Sequence, residues 1–226
     1  MMGWWVGVVT GVVALLVTAV SIAAAATGRR GVLTKLNVLG TIVHEAGHAL
    51  VGILTGGGVY RFEITSPDTG VTYGWYPSTL SSVASSAAGY AMPPLAGLGA
   101  AALLHRGHVT AVLTLTVVTM GLLLFVARDA VTFASIALLG ALMFVAARWA
   151  PGWLQAWVGY TVAWLLLTSE IGGVAVLVAG RLRGWSGSDD AAALAEETHI
   201  PGFVWITGWF ALIGWVLWHG VPLLWP

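Results

Sequence analysis

The sequence predicts an all-α polytopic membrane protein, with about six to seven transmembrane helices and a small β-hairpin after an HExxH helix. Three observations carry that reading. Apolar residues fill 58% of the 226 positions and charged residues only 8%, whereas a soluble domain carries about a quarter charged residues. The mean hydropathy is +0.91, and the apolar residues fall in runs long enough to cross a hydrocarbon layer about 30 Å thick. One stretch, residues 59–76, instead alternates around a turn. No internal repeat and no separate soluble domain is visible, so residues 1–226 read as a single integral-membrane domain. Nine basic and nine acidic residues give a formal charge of zero, which offers nucleic acid no electrostatic footprint. No cysteine is present, so any metal must be held by His, Asp or Glu.

The first helix is expected from about Trp4 to Ala26. Ala23 to Ala26 imitate a signal-peptide cleavage site, but no basic residue precedes Trp4 and the apolar run is too long for an h-region, so the helix is retained. Arg29, Arg30 and Lys35 follow as the densest basic cluster, placing that end in the cytoplasm and the N-terminus outside. The motif helix, about Leu36 to Leu54, re-enters from the same face. His44 then lies about 13 Å below Lys35 at 1.5 Å per residue, within the bilayer. Gly56-Gly57-Gly58 ends that helix. Val59 to Ile64 and Val71 to Tyr76 alternate on either side of Ser66-Pro67-Asp68-Thr69-Gly70, which is turn chemistry. Tyr60, Phe62 and Ile64 should share one face. This hairpin is either an edge that pairs with an extended substrate peptide or an extramembrane loop with two short strands.

Helix 3, about Ser81 to Leu104, is rich in Ser, Ala and Gly, which permits close packing, and Pro93-Pro94 should interrupt it with a kink. Helices 4 (about Val109 to Ala127) and 5 (about Ala130 to Ala147) are plain apolar spans. Trp149, Trp153 and Trp157 mark an interface before helix 6, about Leu154 to Ala179. Within helix 6, Glu170 is a functional-site candidate because an acid in mid-span is costly. The alternative is a Glu neutralised by protonation or paired with an arginine. The adjacent Gly172-Gly173 suggests a local break. A polar stretch, Ser186 to Asp190, leads to a short helix from Ala191 to Thr198, and Pro201 opens the last span, about Gly202 to His219.

The chemistry concentrates in Thr41 to Leu50, where His44, Glu45 and His48 form HExxH within an apolar run. Four residues apart on a helix, the two imidazoles project from one face and can close on one ion. Glu45 can then reach a metal-bound water as general base. Buried in lipid, these three side chains would cost several kcal/mol without an ion to receive them. A hydrolytic zinc site needs a third protein ligand. The candidates are His105, His108, Asp129, Glu170, Asp189, Asp190, His199 and His219. His105 and His108, flanking Arg106, read as interfacial, and His219 as snorkelling at a span's end. Asp189 and Asp190 open a helix, so capping and ligation can be divided between them.

The stretch Val43 to Ile64, with His-Glu-x-Gly-His-Ala, a glycine break and a strand, resembles the site-2 protease family of intramembrane zinc metallopeptidases. Asp190-Ala191-Ala192-Ala193-Leu194-Ala195, with Thr198, Pro201 and Trp205, resembles a compact actinobacterial-type branch. The resemblance implies that His44 and His48 bind Zn2+, that Glu45 activates water, and that a distant aspartate, by spacing Asp190, completes the site. The Leu-Asp-Gly motif of better-known members is absent. The expected substrate is a transmembrane protein or peptide in the lipid bilayer, and the expected location is a bacterial plasma membrane with the site toward the cytoplasm. The rivals are a transporter or scaffold, in which Glu170 and Pro93-Pro94 mark a permeation path, and an inactive homologue that keeps its metal.

Overall fold

The computed structural model describes residues 5–27, 37–66, 69–184, 187 and 189–225. Arg29, Arg30, Lys35 and Leu36, together with Trp4, Pro67, Asp68, Ser186 and Ser188, lie outside the described residues, and so does the topology argument built on the basic cluster. The elements in chain order are α1 (Trp5–Thr27), α2 (Val38–Leu54), β1 (Gly58–Ser66), β2 (Thr69–Trp75), α3 (Thr79–His105), α4 (Val109–Leu124), α5 (Ala130–Trp149), α6 (Gly152–Leu182), α7 (Asp190–Thr198) and α8 (Gly202–Leu224). Among the described residues α3, α5, α6 and α8 are long and apolar enough to cross a membrane, and Trp5–Val20, Val38–Leu54 and Val109–Leu124 are shorter apolar helical stretches. The fold is an all-α membrane bundle with one antiparallel hairpin, β1–β2.

α3 and α6 form the centre. α3 packs against α2, α6, α7 and α8, and α6 also carries α1. Small residues make this possible: a Cβ on Gly97 of α3 would stand 2.6 Å from the Leu167 amide nitrogen of α6, so the two backbones meet directly. On the other side of α3, a Cβ on Gly47 of α2 would stand 2.8 Å from the Ala88 carbonyl oxygen. Ile42, Ala101, Leu167 and Val216 fill the shared interior, and Phe62 of the hairpin is fully buried in the same core.

The structure departs from the expected elements at four points. α3 runs unbroken through Pro93 and Pro94, both buried. The prolines leave the Gly89 and Tyr90 carbonyls without their i+4 donors, a loss that neighbouring helices make tolerable in a membrane. α6 likewise continues through Gly172-Gly173 to Leu182. α4 ends at Leu124 rather than Ala127 because Phe62 N–H donates to the Val126 carbonyl at 3.1 Å and Phe62 bridges Ala127. Tyr60 is exposed while Phe62 and Ile64 are buried, because the register shifts between Val59 and Arg61, and a one-residue slip exchanges faces.

The hairpin is fastened along its β1 edge. Besides the Phe62 bond, Ile64 N–H donates to Thr132 Oγ1 at 2.7 Å and Arg128 Nε donates to the Tyr60 carbonyl at 3.3 Å. Asp129 caps α5, accepting from the Thr132 amide at 2.8 Å. The first of these strand amides belong to residues paired with Thr72 and Gly70. In an antiparallel ladder such pairs turn their main-chain groups outward on both sides, so the amides and carbonyls of Gly70 and Thr72 lie on the opposite edge.

Candidate metal centre

α2 carries His44, Glu45 and His48, and its buried side, Leu39, Ile42, Val43 and Ala49, sets the rotation that turns the motif inward. The two imidazole centroids are 5.0 Å apart. They lie against Gly89 of α3, where a Cβ would stand 2.5 Å from His48 Nε2 and 2.6 Å from His44 Nε2. Only a residue without a side chain leaves this space. One ligand atom from each of His44, Glu45 and His48 falls within 4.8 Å of the other two.

Each ring has a different partner at each nitrogen. His48 Nδ1 lies 2.7 Å from the Ser85 carbonyl of α3. A carbonyl only accepts, so Nδ1 carries the proton and a neutral His48 turns its Nε2 lone pair the other way. His44 Nδ1 lies 3.5 Å from Glu170 Oε1, on α6. Both Nε2 atoms converge on one oxygen, Asp190 Oδ2, at 3.3 Å from His44 and 3.4 Å from His48. Glu45 flanks the rings: its Oε2 accepts from the Thr72 hydroxyl at 2.7 Å, and the same hydroxyl reaches the Glu45 carbonyl at 3.1 Å. A Cβ on Gly70 would stand 3.0 Å from Glu45 Oε1, so the strand comes down directly over the carboxylate.

Asp190 reaches the rings because α7 docks on α3, α6 and α8. Ala191 and Leu194 are buried against Val174, Leu177, Ile206 and Trp209, and the Ser82 hydroxyl donates to Glu197 Oε1 at 2.6 Å. Its neighbour Asp189 faces elsewhere. Asp189 Oδ1 accepts from the Ala192 amide at 2.9 Å and from Arg181 at 2.6 Å. The adjacent carboxylates thus divide capping and approach to the histidines between them. Burial alone would raise the Asp190 pKa, but the facing imidazoles of His48 and His44 outweigh it and hold the carboxyl far below its usual range.

The other sequence candidates are not brought here. None of His105, His108, Asp129, His199 and His219 lines the cavity in front of the rings. His105 Nδ1 lies 3.3 Å from the Leu223 carbonyl and His219 Nδ1 lies 2.8 Å from that of Trp215, while His199 ends α7 with φ 60°. Glu170 is at the site, buried, and among the described residues its recorded ion-pair partner is His44 rather than an arginine. α3 is unbroken at Pro93-Pro94, and Glu170 is directed at His44. Sequence reasoning missed Ser85, Thr72, Gly89 and Tyr90, whose ring packs edge-on against His44 at 4.6 Å between centroids. Their partners are distant in sequence, and a Ser/Ala/Gly-rich helix signals packing before chemistry. Asn37, Tyr76, Ser86 and Tyr90 also line the cavity, of about 390 Å³.

The donor set fits a zinc ion. Tetrahedral Zn–N and Zn–O bonds of about 2.0–2.2 Å place neighbouring ligand atoms about 3.3–3.5 Å apart, and Asp190 Oδ2 stands 3.3 Å from His44 Nε2 and 3.4 Å from His48 Nε2. Direct charge-assisted hydrogen bonds would be shorter, about 2.7–2.9 Å.

The family described as Peptidase M50B-like, a site-2 protease family, matches residues 5–220, nearly the whole chain, and the chain belongs to it. Among curated proteins and among solved structures, no match was found.

Proposed function

From that membership we propose that the chain is a zinc-dependent intramembrane endopeptidase that cuts membrane-protein substrates, with His44, His48 and Asp190 as ligands and Glu45 as general base. The observation that carries the reading is the convergence of both Nε2 atoms on Asp190 Oδ2 at 3.3 and 3.4 Å, with both Nδ1 atoms facing other acceptors. Zinc held there would polarise a scissile carbonyl and acidify a water. Glu45 receives the water's proton on Oε1, because Oε2 is engaged by Thr72, and returns it to the leaving amine. Thr72 holds the carboxylate in one orientation during both transfers.

The substrate would bind as an extended strand. Gly70, Val71 and Thr72 line the cavity beside Glu45, and the outward main-chain groups of Gly70 and Thr72 supply an edge for β-addition. The β1 edge is already taken by Val126 and Thr132. Pairing on β2 would lay a substrate's peptide bond across the cavity, next to the carboxylate.

The test is purified protein in detergent. One zinc per chain, removed by chelation and restored by added zinc, together with cleavage of a co-expressed single-span substrate, is expected. His44→Ala or Asp190→Ala should lose the metal, and Glu45→Gln should keep the metal and stop cleavage. Metal-free wild-type protein, or full cleavage by Glu45→Gln, overturns the assignment.

A further inference from the structure

We propose that Glu170 is the positioning residue of the metal centre, fixing the tautomer and ring orientation of His44. The inference rests on the metallopeptidase reading and extends it to a residue outside the HExxH motif and outside the ligand set. Glu170 stands in mid-helix on α6, buried to 5% exposure, with Oε1 3.5 Å from His44 Nδ1. That is the ring nitrogen opposite the one facing Asp190. A carboxylate facing Nδ1 at this ion-pair distance favours the proton there and leaves the Nε2 lone pair for the ion. His48 receives the same service from the Ser85 carbonyl at 2.7 Å.

The surroundings are shaped to keep the carboxylate in this place. A Cβ on Gly173, one turn further along α6, would stand 2.7 Å from Glu170 Oε2 and 3.1 Å from the Tyr90 ring. The glycine therefore makes room for the acid without breaking the helix. Tyr90 closes the other side of His44 with an edge-on ring contact, an interplanar angle of 87°. The imidazole is thus held by Gly89 against its Nε2 side, by Tyr90 across its plane and by Glu170 at Nδ1. An ionisable group in a span is costly, and its approach to His44 gives it a task that neither lipid packing nor helix stability would require.

The experiment measures zinc affinity by competition with a chromophoric chelator, together with thermal unfolding of the metal-free protein, in Glu170→Gln and Glu170→Ala. Glu170→Gln is nearly isosteric, and Glu170→Ala serves as the more severe second variant. Each should weaken zinc binding about 10–100-fold, Ala more than Gln, and shift the visible spectrum of the cobalt-loaded protein as the His44 ring turns. A role confined to packing α6 would lower the metal-free unfolding midpoint and leave the zinc affinity and cobalt spectrum of the folded protein as in wild type, and that result overturns the proposal. So does unchanged zinc affinity in both Glu170 variants. Wild-type protein that binds no zinc would instead overturn the metallopeptidase reading itself, which distinguishes the two failures.

Discussion

Gly89→Ala is the most incisive single test of the site, because the same substitution should improve the helix and ruin the centre. Replacing an interior helical glycine by alanine favours the helix by about 0.5–1 kcal/mol. At position 89, however, the new methyl would stand 2.5–2.6 Å from His48 Cε1, His48 Nε2 and His44 Nε2. Ordinary contact between such atoms is about 3.5 Å or more, so the rings must retreat by about 1 Å. Metal–ligand distances tolerate about 0.2 Å. The two imidazoles cannot both retreat by 1 Å and keep their convergence on Asp190 Oδ2. A misplacement of that size costs about 100-fold in catalysis, and zinc affinity should fall at least as far. The assay pairs chelator competition for zinc with thermal unfolding of the metal-free protein. The expected result is zinc binding and cleavage reduced about 100-fold or more, while the metal-free protein stays folded and loses no more than about 1–3 kcal/mol to overpacking, partly offset by the helix gain. Gly99→Ala, on the same helix with nothing within 4 Å of its added Cβ, should raise the metal-free midpoint by the helix gain alone and leave zinc binding and cleavage unchanged. Wild-type zinc affinity in Gly89→Ala would refute the placement of the rings against α3.

Three further outcomes follow from the same contacts. Thr72→Val removes the hydroxyl on Glu45 Oε2 and, at about 1.5–3 kcal/mol for a hydrogen bond to a charged group, should lower kcat about 10–100-fold with zinc content intact; Thr72→Ser should restore most of it. Asp189→Ala should keep one zinc per chain while costing about 1 kcal/mol of stability through the lost α7 cap, whereas Asp190→Ala should lose the metal; metal analysis and thermal unfolding separate the two. The Asp129 carboxyl is held below its usual pKa by the hydrogen bonds it accepts from Thr132. A depressed folded pKa adds stability above the unfolded value and loses it as pH falls through the folded one. The stability gap between wild type and Asp129→Ala, measured by thermal melts, should therefore be full at pH 6 and shrink below about pH 4.

What could be read in the residues and what could not divide along one physical line, between contacts local in sequence and contacts made across the bundle. His44, Glu45 and His48 were legible because a helix alone sets their mutual geometry. The hairpin was legible because alternation and turn residues are local too. The end of α4 was not, because its last residues are claimed by Phe62, some 64 positions earlier in the chain. Gly172-Gly173 and Pro93-Pro94 read locally as breaks, yet both helices continue, since a break within the bilayer would expose main-chain groups with no water to receive them. Gly173 serves as clearance for Glu170 instead. Glu170 itself was visible as an anomaly in an apolar span, but its partner, His44, lies on another helix and only packing brings it there.

The division of the site between elements has a physical reason. His44 and His48 come from one helix, which sets their spacing, and its contact with α3 is locked by Gly47 against the Ala88 backbone. Asp190 comes from α7, a nine-residue helix too short to span, held by two buried apolar side chains and by polar contacts at both ends, Arg181 with Asp189 and Ser82 with Glu197. A carboxylate carried on a spanning helix between the two imidazoles would have to be desolvated during folding with no cation to offset it, a cost of several kcal/mol. Carried on α7, it is brought to the imidazoles by the burial of Ala191 and Leu194 against α6 and α8. The same logic explains why Asp189 and Asp190 cannot exchange roles. The capping residue must turn its side chain back onto the Ala192 amide, and the next residue, already helical, projects from the face that α7 presents to α2.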